Sequence, residues 1–60
     1  MPKAMYKSEL AERAGVSMRT FSRYIASRRQ TLQDMGVSPH TQLLPPNAVQ
    51  YISDDYGIDL

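Results

Sequence analysis

Apolar positions recur along this chain with a helical period, and the period stops three times at the same kind of dipeptide. Gly15-Val16, Gly36-Val37 and Gly57-Ile58 each follow a helix-like run and pair a glycine with a β-branched residue. Helices commonly end this way. Glycine adopts the left-handed conformation, and the next apolar side chain folds back onto the last turn. Three stops predict at least three helices. The first spans about Lys7 to Ala14, where Leu10, Ala11 and Ala14 form one stripe at i, i+1 and i+4. Lys7 and Ser8 both suit its cap. Glu9 and Glu12 face outward, and Glu9 favours the positive end of the helix dipole.

The second helix opens after Ser17, a good N-cap residue. Phe21, Tyr24 and Ile25 fall at i, i+3 and i+4 and are expected inside, which leaves Arg19, Ser22, Arg23 and Ala26 outside. From about Arg28 to Met35 the pattern is again helical, with Leu32 and Met35 as inner residues. Nothing in "ASRRQ" decides between a third helix and a kinked continuation of the second. In "GVSPHTQLLPPN" the prolines disfavour helix before them, so Ser38 and Leu44 are expected extended, with a short strap near 41–44. Pro46 suits the first position of a last helix over about 46–56. Val49, Ile52 and Tyr56 give that helix its inner stripe. The fold class read from this pattern is all-α: one compact three- to four-helix domain over residues 1–60.

Composition narrows the chemistry. A 60-residue domain buries a core that barely offsets the entropy of ordering it. With no cysteine and one histidine, His40, neither a disulfide framework nor a metal centre is expected. His40 reads as an exposed turn residue. Asp54 and Asp55 are neighbours on a helix, so their side chains diverge by about 100° and read as a solvated face, not an acid/base pair. No nucleophile–base pairing and no phosphate-cradling glycine loop is visible, so no enzyme and no cofactor are expected. "MPKAMYKSEL" lacks the apolar stretch of a signal peptide, and no run approaches the roughly 18 apolar residues of a membrane span. The expectation is a cytoplasmic protein with no membrane partner.

The net charge of +1 hides a division. Residues 1–33 carry all seven basic side chains against Glu9 and Glu12, a balance of +5; residues 34–60 carry Asp34, Asp54, Asp55 and Asp59 with no base, a balance of −4. A split of this kind suggests that the basic half meets a polyanion.

The basic half contains "KSELAERAGVSMRTFSRYIA", residues 7–26, a helix, a short glycine turn and a helix. This resembles the helix-turn-helix of DNA-binding proteins. Leu10, the small Ala11 and the turn residue Gly15 stand where that motif has them, and Val16, Phe21 and Tyr24 take the remaining core places. "GVSMRTFSRYI", with its Arg19-Thr20 pair, looks like the turn and recognition helix of the MerR and excisionase-like families. "LLPPNAVQYI" resembles the strand and helix that follow the wing in those families. The two matches cover about half the chain. The segment "RRQTLQDMGVSPHTQ" between them departs from the basic hairpin of a wing.

The resemblance implies a transcriptional regulator or recombination accessory factor that binds double-stranded DNA with its second helix in the major groove. Arg19, in the first turn of that helix, would read guanine with two parallel hydrogen bonds, and Met18 a thymine methyl. Ser17 and Thr20 would bond phosphates, as would Arg23, Arg28 and Arg29, with Ser22 on the same outer face and Lys7 clamping the backbone from the first helix. Four or five phosphate contacts would give a log–log salt slope near −4. One module this small would bind weakly, so a homodimer or a neighbouring DNA-bound protein is expected. The competing reading is a protein-interaction module that docks a partner through the acidic last helix or through exposed Met18 and Met5, the helix-turn-helix being only structural.

Overall fold

Three of the four helices among the described residues end at or just before a glycine. The computed structural model describes residues 3–38 and 40–60; Pro39, in the connection expected to turn, lies outside them. Along the chain run β1 (Met5–Tyr6), α1 (Lys7–Ala14), α2 (Met18–Ser27), α3 (Arg29–Asp34), β2 (Leu43–Leu44) and α4 (Pro46–Tyr56). The protein is thus mostly helical, with four helices among the described residues and one small antiparallel ribbon.

Gly15 closes α1 at φ 73°. Its N–H donates to the Glu12 carbonyl, and the Val16 N–H reaches back to the Ala11 carbonyl. A side chain at Gly15 would meet no neighbour, so the constraint there is backbone conformation alone. α3 ends the same way: Val37 N–H donates to the Leu32 carbonyl at 2.8 Å, which turns Val37 into the core. Ile58 folds back similarly, its N–H on the Ser53 carbonyl.

The start of α1 differs from the expectation of a Lys7 or Ser8 cap. Tyr6 is the N-cap, and its backbone N–H donates to Glu9 Oε1 at 3.0 Å. The pairing of β1 with β2 fixes this position: Met5 lies opposite Leu44 and Tyr6 opposite Leu43, and the Lys7 N–H continues the ladder to the Gln42 carbonyl. The extended strap expected near 41–44 is therefore one half of a ribbon whose other half was not foreseen. Met5 is consequently core, 5% exposed, and not a docking residue.

A third helix, not a continuation, follows α2. Ser27 Oγ donates to the Tyr24 carbonyl at 2.6 Å, competing with the Arg28 N–H for the same acceptor. Serine hydroxyls that bond back in this way bend helices. The chain breaks at Arg28 (φ −108°, ψ 16°), which ends α2 and opens α3. Pro46 occupies the first turn of α4 as expected, and Val49 and Ile52 are fully buried.

Leu10, Phe21, Leu44, Val49 and Ile52 are the largest fully buried side chains and belong to one core cluster. Phe21 packs edge-on against Tyr56, with centroids 5.8 Å apart and planes at 86°, and Tyr24 sits 4.6 Å from Tyr56. The core thus grips α2 by its inner face and leaves the outer face of that helix to solvent.

Candidate nucleic-acid interface

α2 presents two outward ridges at four-residue spacing. One is Arg19–Arg23–Ser27 and the other Met18–Ser22–Ala26, and all six residues are exposed. Arg19 and Arg23 make no ion pair with any described residue. The fold therefore brings Met18, Arg19, Ser22 and Arg23 together on one accessible surface. Arg29, at the start of α3, is exposed as well.

Ser17 and Thr20 lie at the head of α2 and act on each other. Ser17 Oγ accepts the Thr20 N–H at 3.2 Å and donates its own proton to Thr20 Oγ1 at 3.1 Å. The Ser17 hydroxyl proton is committed within the cap. The Thr20 hydroxyl keeps its proton for an outside acceptor, so Thr20 suits an oxyanion better than Ser17 does.

Two residues expected at phosphates stand elsewhere. Arg28 turns toward α4: its Nε donates to Asp55 Oδ2 at 2.9 Å, and its guanidinium lies 5.5 Å from the centre of the Tyr24 ring. The Tyr24 hydroxyl donates to the same oxygen at 2.6 Å. Asp55 offsets the Arg28 charge, which weakens its pull on a phosphate. Lys7 is only 9% exposed, its stem packed within the domain.

The Tyr24–Asp55–Arg28 cluster has its own electrostatics. The Tyr24 hydroxyl holds the Asp55 carboxyl below its ordinary range, with Arg28 adding to the effect. Burial, followed by the bond to Asp55, pushes the Tyr24 phenol well above its ordinary 10.0. Asp55 is therefore a tether between helices, not the plain solvated face that its place beside Asp54 suggested. A signal was present in the sequence: Tyr24 and Arg28 share a helical face at i and i+4, and Asp55 adjoins the inner residue Tyr56.

Elsewhere in α4, Asp54 accepts a hydrogen bond from Gln50 Nε2 at 2.9 Å. No group of three or more His, Cys, Asp or Glu residues among the described residues could hold a metal ion. No helix among them is long and apolar enough to cross a membrane. Comparison with protein families, curated proteins and solved structures finds nothing that matches this chain.

Proposed function

We propose that this domain binds double-stranded DNA, with α1, the Gly15 turn and α2 acting as a helix-turn-helix and α2 entering the major groove. The observation that carries the reading is the pair Arg19 and Arg23, exposed and without an ion pair among the described residues, on the outer ridge of a helix whose inner face is locked into the core. An α-helix with its side chains fits the major groove, and arginine is the side chain best shaped for guanine O6 and N7. Thr20 and Arg29 flank the ridge and supply phosphate contacts. Arg28 and Lys7 drop out of the interface. The likeness to MerR and excisionase-like domains supports the reading through residues 7–26 and not through a basic wing.

One copy measures 26 Å across, less than the roughly 34 Å of one DNA turn. Useful affinity would come from a second copy on the next half-site or from a neighbouring bound protein. The role fits a small transcriptional regulator or recombination accessory factor. The protein-interaction reading loses Met5 to the core and Asp55 to Arg28, which leaves Met18, at 41% exposure, and Asp54 as its exposed elements.

Backbone amide NMR of the labelled chain, titrated with a mixed-sequence duplex at low salt, separates the two readings. The expected footprint runs from Ser17 to Ala26 with Arg29, and spares residues 48–56. A footprint centred on α4, or none at all, would overturn the DNA assignment.

A further inference from the structure

Lys7 is the one charged side chain among the described residues that falls in the buried class. It opens α1, and its ammonium makes no hydrogen bond or ion pair with another described residue. No fully enclosed polar atom among those residues lacks a partner, so the ammonium keeps contact with solvent. The opening that Lys7 lines is a cleft of about 420 Å³ between the start of α1, the outer flank of α2, α3 and the residues Val37, Ser38 and Gln42. Met18, Ile25, Ala26, Leu32 and Val37 give it apolar walls. Arg29 supplies a second cation, and Ser22, Ser38 and Gln42 supply hydroxyls and an amide. No Asp or Glu among the described residues lines it.

We propose that this cleft binds a small carboxylic acid carried on an apolar body, of the aryl- or alkyl-carboxylate class. The carboxylate meets Lys7 and Arg29, and the body lies against Met18, Ile25 and Val37. Two simpler occupants fit less well. A neutral apolar molecule would strip water from the Lys7 ammonium and give it no partner, which is costly. A bare oxyanion would leave the apolar walls unused. The volume lies within the roughly 300–1,000 Å³ of small-molecule sites, and an apolar lining with a few convergent polar groups is their usual make-up. The inference rests on the cleft itself and not on the DNA reading, and Met18, Ser22, Ala26 and Arg29 are common to both surfaces.

The test is a titration of the labelled full chain with 3-phenylpropionate, read at the amides of Ser22, Ala26, Leu32, Val37, Ser38 and Gln42. Saturable shifts are expected, with a Kd of about 1 mM or below. The neutral isostere 3-phenylpropanamide should bind at least about tenfold more weakly, because a charge-assisted contact is lost. Lys7→Met keeps the packed stem and should cost a similar factor. Should that variant fail to fold, Arg29→Gln, at an exposed position, should weaken binding by about threefold or more. The proposal is overturned if acid and amide bind alike, if folded variants bind as the parent does, or if no shift appears at about 10 mM, well above that Kd. Equal affinity of inorganic phosphate for the same amides would also overturn it, since the cleft would then take bare oxyanions such as a nucleic-acid backbone.

Discussion

One hydroxyl sets the geometry on which the proposed interface depends. Ser17 was legible as a cap because a serine stands directly before an apolar-periodic run, and its bond to the Thr20 N–H is the expected one. Its donation to Thr20 Oγ1 was not legible, because a hydroxyl has several choices of acceptor until the backbone is placed. The two residues should separate on mutation. Ser17→Ala should destabilise the domain by about 1 kcal/mol, a loss of about 4–8 °C in melting temperature for a chain this short. Thr20→Val leaves the capped N–H in place and should cost clearly less. Thermal melts followed by circular dichroism compare them; equal losses would show that the side-chain pair, and not the cap, carries the stability. Lys7 illustrates the opposite case. Its position at a helix start was correct, but its burial depended on a strand partner that no local pattern announces.

Elements of different length were legible to different degrees. α1 and α4 each run two turns or more and end at a glycine, so their spans and inner faces followed from spacing; for α2 the spacing gave the start and the inner face but not the end. β1 has two residues, too few for a period-2 pattern, and exists because Leu43–Leu44 offers an edge to Met5–Tyr6. The break at Arg28 had no glycine or proline to mark it; the neighbouring Ser27 hydroxyl bonds back to the Tyr24 carbonyl, and Asp55, far along the chain, holds the Arg28 side chain.

The contact between α2 and α4 that results is sensitive to pH, with a definite sign. The Asp55 carboxyl titrates lower in the folded state than its ordinary 3.8, so its stabilising contribution is present above that value and is lost as the pH falls below it. Tyr24 titrates above its ordinary 10.0, so its contribution is present below that value and is lost as the pH rises through the raised one. Melting temperature should fall more steeply between about pH 5 and pH 2 in the parent than in Asp55→Asn, whose tether cannot titrate. Parallel acid profiles for the two proteins would remove Asp55 from the account.

Across the whole molecule, the division of charge seen in the sequence survives folding in altered form. The one ion pair among the described residues, Arg28–Asp55, joins the basic half to the acidic half and so offsets one base at the surface. With the Lys7 stem packed and its ammonium turned into the cleft, Arg19, Arg23 and Arg29 remain on or beside the outer face of α2. The sequence pattern alone counted four or five phosphate contacts; with Arg19 at a base edge and Arg28 offset by Asp55, the folded chain supports about two, from Arg23 and Arg29. The helical class, the core apart from Met5 and the outer face of α2 were readable from spacing. The α2–α4 tether and the cleft were not, since both join residues far apart in the chain.

The dependence of duplex affinity on salt measures the central claim most directly, because it counts the cations that displace counterions. A fluorescence anisotropy series from low to moderate salt should give a log–log slope of about −2 for the parent, falling to about −1 in the double variant Arg19→Ala, Arg23→Ala. A slope that the double variant leaves unchanged, or an absence of binding at the lowest salt, would contradict the account.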